Sequence, residues 1–484
     1  MMTALLLGLA IVTQDQIPLR AAPTENAARH ATLSQGDALE VRGVRDDYLQ
    51  VYDHRRERAG YIRATQVGQY ALTPEEAPRL KAIVDFLKNQ PGYEALGVGH
   101  IAAFLKVAPA EAIDADIFEA LGKMADRLAW RASRLSGSNN ATAAKTVSEH
   151  LEVAASYGVS SYSVEHHEKM TLCYEGEAWR RVLALPARPE QKANAALSLT
   201  RHDCLKTNQT SSARLETDFW RAEILEQVLA HGARKGGLPE HLRNRLKIRA
   251  AGVWASIAHH LTRQPKSNPD SLLKAGQQAE THLAGVDKKS LKDGDLQAWH
   301  EAAIRVGASR WSALPQTVAL PVQNRPGIRV SAGEPGQTCI EIIEGGKQAS
   351  APKTFARCTY GQVWTSSLTV SPDGQMMTLA VQPLENWREM WVFRREEKGW
   401  QIEAIPPSAE NPELGYIEFA GWVPGNKQLL VARETIENGR NKTSFELWDR
   451  ATLKVEKRAD KPGNLSTFYR WQDPLWKGGT MALR

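Results

Sequence analysis

At 484 residues the chain is longer than one typical domain, so about two to four domains are expected. Its 42% hydrophobic and 24% charged residues exclude a largely disordered chain. The net charge of +6 is spread through mixed-sign runs such as Arg55-Arg56-Glu57-Arg58 and Arg394-Arg395-Glu396-Glu397-Lys398, and no nucleic-acid partner is expected if the chain is exported.

The first element is the apolar run Ala4-Leu5-Leu6-Leu7-Gly8-Leu9-Ala10-Ile11-Val12. A membrane span takes about 20 apolar residues, so this run is too short to cross a bilayer and suits the apolar centre of an export signal over residues 1–14. No Lys or Arg precedes it, and Gly8-Leu9-Ala10 is the best small-x-small cleavage sequence. The competing reading is a buried first strand. Export to a periplasmic or secreted location is the expectation, and no later stretch is apolar enough for a transmembrane segment.

Residues 17–70 read as short strands. The turn Ser34-Gln35-Gly36-Asp37 leads into Ala38-Leu39-Glu40-Val41-Arg42-Gly43-Val44. Tyr48-Leu49-Gln50-Val51-Tyr52 alternates in the same way, and Ala59-Gly60-Tyr61-Ile62 follows a charged turn. Period-two patterning between turn signals marks half-buried strands. With Leu19–Pro23, Leu33–Val41, Tyr48–Val51 and Gly60–Ile62 in the places of its strands and turns, this segment resembles a bacterial SH3-like (SH3b) domain, with Tyr61 where Trp is commoner. The resemblance implies a small β-barrel that binds cell-wall peptide or glycan. It also implies a groove lined by Tyr48, Tyr52 and Tyr61, with Asp46, Asp47 and Arg63 as polar neighbours. The plainer use of Tyr52 or Tyr61 is packing within the barrel.

From 74 to 314 the period is helical. Thr73, Pro74 and Glu76 form an N-cap, first-turn proline and capping-box partner. Leu80, Ile83, Val84 and Leu87 make one stripe, and Ile117, Leu121, Met124 and Leu128 another. Residues 177–186 and 189–199 read as an antiparallel helix pair. No solenoid repeat is evident, so the expectation is an α-helical bundle or irregular solenoid. The basic run His241–Arg249 reads as a solvated helix face, with Leu242, Leu246 and Val253 pointing inward.

Cys173 and Cys204 lie in the helical region, and Cys339 and Cys358 lie beyond it. Four cysteines grouped two and two read as two local disulfides of an oxidising compartment. No pair has the short spacing of a zinc site, and the remaining alternative is buried free thiols.

Residues 317–484 are short alternating runs. Ser371-Pro372-Asp373-Gly374, a strand, a loop and Met390-Trp391-Val392-Phe393 recur as Val423-Pro424-Gly425-Asn426, a strand, a loop and Phe445-Glu446-Leu447-Trp448-Asp449, the second copy beginning 52 residues later. This resembles blades of a WD40-like or TolB-like β-propeller, although the length allows only three or four blades. The fold class expected is therefore multidomain α+β: an SH3-like barrel, helices, and a propeller-like antiparallel β domain.

No catalytic constellation emerges. The histidines of Glu165-His166-His167-Glu168 and of His259-His260 are adjacent, so on a helix they point about 100° apart rather than sharing the one face a metal site needs, and a loop or surface placement is expected for the first pair. Ser271-Leu272-Leu273-Lys274 lacks the companion motifs of a penicillin-binding enzyme, and Glu344-Gly345-Gly346-Lys347 lacks those of a phosphate loop. No cofactor and no metal is assigned. The expected function is recognition: an exported, non-enzymatic envelope protein that binds peptidoglycan, peptide ligands or envelope proteins. The alternatives are an enzyme or enzyme subunit of envelope maintenance that uses the barrel for targeting, and a cytosolic interaction scaffold.

Overall fold

The computed structural model describes residues 8–137, 139–166, 169–234, 237–264, 267–316, 325–344, 356–409, 414–437 and 439–479. The chain divides into two compact units, Met1–Asn208 with Ala230–Leu238, and Gln209–Leu229 with Pro239–Arg484. The helical stretch expected as one domain over 74–314 is thus shared between them.

The first unit opens with seven strands: β1 (Gly8–Val12), β2 (Ile17–Arg20), β3 (Arg29–Leu33), β4 (Ala38–Arg45), β5 (Tyr48–Asp53), β6 (Arg58–Arg63) and β7 (Val67–Ala71). They form one antiparallel sheet in the order β3-β2-β6-β5-β4-β1-β7. Among the described residues its end strands β3 and β7 are not joined, so the sheet is open rather than a closed barrel. One face gathers Leu19, Leu33, Leu39, Leu49, Val51 and Ile62 into a core.

Strand β1 corrects the reading of the N-terminus. Residues 8–12 pair on one side with β4 and on the other with β7. Ala10 and Val12 enter the sheet's own core, while Leu9 and Ile11 enter the core of the helices. A strand covered on both faces is apolar at every position instead of alternating, and this is why it looks like a signal core. Over residues 8–12 the buried-strand reading is the one realised.

Helices α1 (Ala77–Leu87), α2 (Glu94–Val107), α3 (Ala115–Leu135) and α4 (Ala141–Ser156) follow, then the hairpin β8 (Ser161–His166) and β9 (Lys169–Tyr174), then α5 (Glu177–Ala184) and α6 (Pro189–Leu199). Thr73 does precede Pro74, but it leads into a short 3-10 turn, Pro74–Glu76, without a side-chain cap. The expected stripes are buried: Leu80, Val84, Leu87, Ile117, Met124 and Leu128 share one core with Phe104 and Trp179. A Glu94 carboxylate with no solvent exposure is held by Arg127 and Arg131. The hairpin β8–β9 departs from the all-helical expectation. His166 sits at the end of β8, and His167 and Glu168 lie outside the described residues.

The expected helix pair is present as α5 and α6. Cys173 on β9 is bonded to Cys204 just beyond α6. A turn of the seven-stranded sheet also seats on the helices: Gln35 donates to the Gly92 carbonyl, and Tyr157 Oη donates to the Gly36 carbonyl at 2.7 Å.

Helix α7 (Ser211–Arg234) contributes its residues through 229 to the second unit, which continues with α8 (Glu240–Thr262), α9 (Pro269–Ala284) and α10 (Asp293–Ser309). Leu242, Leu246 and Val253 of α8 are buried, as the basic run predicts.

Strands β10 (Gly327–Ala332), β11 (Thr338–Ile343) and β12 (Ala356–Thr359) form a small antiparallel sheet. In it Cys339 faces Cys358 across the β11–β12 pair, and the two are bonded. Two four-stranded meanders follow. The first is β13 (Gln362–Val370), β14 (Met376–Leu384), β15 (Trp387–Glu396) and β16 (Gly399–Ile405); the second is β17 (Gly415–Trp422), β18 (Gln428–Glu437), β19 (Arg440–Asp449) and β20 (Val455–Ala459). The two turns of the 52-residue repeat occupy equivalent places, between the first and second strands of each meander.

A parallel pairing of Trp387 with Gly415 and Arg388 with Tyr416 fuses the meanders into one eight-stranded sheet. Among the described residues these strands close no ring. The second meander is capped by α11 (Ser466–Trp471) and α12 (Pro474–Gly479), whose Phe468 and Trp476 pack on Phe445. Trp364, Trp387, Trp391 and Trp448 are buried on strands and Trp476 on α12, so core packing accounts for them.

Candidate functional site

The antiparallel register assembles the expected recognition residues on one surface. Within β5, Tyr48, Gln50 and Tyr52 alternate with the core residues Leu49 and Val51 and so lie on the opposite face. Across the β5–β6 ladder Tyr48 stands beside Arg63 and Gln50 beside Tyr61. Tyr48, Tyr52, Tyr61 and Arg63 therefore share the side of the sheet turned away from its core. Asp46 and Asp47 form the β4–β5 turn at the end of this surface, Asp46 with φ 53°.

The tyrosines are not equally available. Tyr48 is 3% exposed, with the Arg63 guanidinium 5.4 Å from its ring centroid. Arg63 is in turn held by Asp47 at 3.0 Å and by Glu25. Tyr52 and Tyr61 are half-buried and can offer ring surface to a ligand. Tyr48 thus supports Arg63 rather than lining a groove, which corrects the expectation for that residue.

A second arginine–tyrosine pair goes beyond what the sequence predicts. The ladder between β4 and β5 shifts register after Val41, and the Arg42 guanidinium lies 4.0 Å from the Tyr52 ring centroid. Arg42 also forks onto Glu40 at 3.1 and 3.3 Å, while His54 Nε2 lies 2.7 Å from Glu40 Oε2. Arg42, and after it His54, holds the Glu40 carboxyl below the ordinary carboxylate range. The signal for this group is the i, i+2 pair Glu40 and Arg42 opposite Tyr52. It becomes visible only when the bulge is known.

Chemically this surface offers tyrosine rings framed by guanidiniums, with each guanidinium's charge already balanced by a carboxylate. Such a surface stacks on flat apolar faces and exchanges directional hydrogen bonds.

Other motifs resolve into structure. Asp114 caps α3, accepting from the backbone N–H groups of Asp116 and Ile117. Ser271 lies exposed in the first turn of α9. His260 Nε2 lies 3.3 Å from Glu385 Oε2. His259 is buried, and burial holds its pKa down at about 3. Among the described residues no three His, Cys, Asp or Glu side chains converge as a metal site requires, and no helix is long and apolar enough to cross a membrane.

Comparison with known proteins adds no family: no family model, curated protein or solved structure matches the chain.

Proposed function

We propose that the protein is an extracytoplasmic binding protein whose arginine–tyrosine sheet face recognises cell-wall glycan or peptide, without chemistry of its own. The observation that carries this reading is the Arg42–Tyr52 frame on one sheet face, with the half-buried Tyr61 and the Arg63 guanidinium on the same face. A peptide-bearing glycan presents sugar faces, amines and carboxylates together. A surface of aromatic rings and charge-balanced arginines is complementary to that mixture.

The seven-stranded sheet, with its core on one side, supports an SH3-like reading. The two tandem meanders support a relation to propeller blades. Both disulfides support residence in an oxidising compartment.

Co-sedimentation with purified peptidoglycan sacculi tests the proposal. Tyr52→Ala and Tyr61→Ala, with circular dichroism unchanged, are expected to lower retention by about tenfold each, the scale of one lost stacking contact. Retention equal to that of the unsubstituted protein in both variants overturns it.

A further inference from the structure

Away from the sheet face, the helices of the first unit enclose an open groove of about 480 Å³. One wall is α3, where Lys123, Asp126, Arg127 and Trp130 recur at the i, i+3, i+4 and i+7 positions of one helical face. The other wall comes from α5 and α6, through Trp179, Asn194 and Ser198, with Arg201 at its end.

The floor is built around Asp126. Its Oδ2 accepts from the indole Nε1–H of Trp179 at 2.8 Å and from the hydroxyl of Ser198. Both of these bonds fall on Oδ2, with none found to Oδ1 among the described residues, and the nearby Arg201 acts on the carboxylate through its charge. Burial raises the Asp126 pKa, against the opposing effect of the Ser198 and Trp179 hydrogen bonds. Trp179 is fixed by its neighbour: a Cβ on Gly122 would lie 2.4 Å from the indole, so only glycine admits the ring there.

The cations around the groove are already answered. Lys123 pairs with Glu119 at 2.8 Å, Arg127 with Glu94 at 2.5 Å and Arg201 with Asp203 at 2.5 Å. Asn194 gives an amide N–H to Glu119 at 3.1 Å. The groove therefore has no unbalanced positive charge to attract a phosphate, and an anionic ligand would meet Asp126. Its polar lining is equally wrong for a purely apolar guest.

At the edge stands Trp130, 50% exposed, with the Arg134 guanidinium 4.8 Å from its ring centroid. A large indole left half in water beside a polar groove is a stacking platform. Lone acceptor, N–H donors and aromatic platform together match a ring that is apolar on its face and hydroxylated at its edge.

We infer that this groove is a saccharide-binding site, in which a sugar ring stacks on Trp130 and a hydroxyl donates to Asp126 Oδ1. The site is separate from the sheet face and does not depend on that reading.

The probe is the tetramer of N-acetylglucosamine, titrated into the full chain by calorimetry and followed by tryptophan fluorescence. Millimolar or tighter binding is expected, with a change in indole emission. Trp130→Ala is expected to weaken it by about tenfold, and Trp130→Phe to retain part of the affinity. Asp126→Asn, which keeps an acceptor for Trp179 and Ser198, is expected to weaken it severalfold. Phe86→Ala, an exposed aromatic on α1, is expected to bind as the unsubstituted protein does. The inference is overturned by the absence of any heat or emission change at millimolar tetramer. It is equally overturned by unchanged affinity in Trp130→Ala, including the case in which Tyr52→Ala alone abolishes binding and the tetramer is held by the sheet face.

Discussion

Gly36 presses against Ala95: a Cβ on Gly36 would stand 2.4 Å from the Ala95 carbonyl oxygen. The contact seats the turn before β4 on helix α2. Gly36 also has φ +89°, a conformation other residues adopt only with strain. Gly36→Ala is therefore expected to destabilise the first unit by about 3 kcal/mol, combining overpacking with backbone strain. Thermal unfolding followed by circular dichroism checks this, and a midpoint equal to that of the unsubstituted protein would refute it.

Both disulfides should be present in the protein purified from its own host. Alkylation of all four cysteines only after reduction, read by intact mass, is the expected result. Each closes a local loop, so Cys173→Ser and Cys339→Ser are expected to cost about 3 kcal/mol apiece. Full labelling without reductant would remove the support for an oxidising compartment.

In the second unit Glu418 is almost wholly buried between two arginines, 2.5 Å from Arg388 and 2.9 Å from Arg310, and it also accepts from Trp476 Nε1 at 2.7 Å. Removing its charge strands buried guanidiniums in a medium that solvates them poorly. Glu418→Gln is expected to destabilise by about 3–5 kcal/mol, measured by denaturant unfolding. A loss below about 1 kcal/mol would mean that water reaches the site.

Glu434 supplies a pH dependence of known sign. Burial raises its pKa from 4.5 to about 7, although Tyr416 and Asn441 hydrogen-bond to it. Between those two values the folded chain keeps a proton that the unfolded chain releases, so this group's contribution is complete below pH 4.5 and falls as pH rises to about 7. His259 acts oppositely: with its pKa lowered from 6.5 to about 3, its contribution is lost as pH falls through that window. Glu434→Gln is expected to stabilise the protein relative to the unsubstituted chain above pH 7, with the gain shrinking toward pH 4.5. A gain independent of pH would show that Glu434 is not the titrating group.

What could be read from the sequence depended on how locally each feature is specified. The Tyr48–Tyr52 strand, the α5–α6 pair and the 52-residue repeat each declare themselves within a few residues, through alternation, helix-start prolines and tight-turn sequences. The cysteine pairing followed from regional grouping. Strand β1 was obscured because burial on both faces erases the alternation that marks a strand. Hairpin β8–β9 was absorbed into its helical surroundings, although Ser161-Tyr162-Ser163-Val164 alternates.

The sheet face was legible in its tyrosines but not in Arg42, which a bulge brings over Tyr52. The groove was not legible at all. Asp126 and Trp130 of α3, Trp179 of α5 and Ser198 of α6 come from separate stretches, and only the packing of these three helices makes them neighbours.

Strand β1 carries a consequence for assembly. Residues 8–12 leave the ribosome before either of their partners, and the β7 side of the ladder cannot form until residue 71 has been made. Until then a strand with no polar face is at most half paired, which makes this segment a natural target for chaperones that hold extended apolar peptides and exposes it to intermolecular pairing during synthesis.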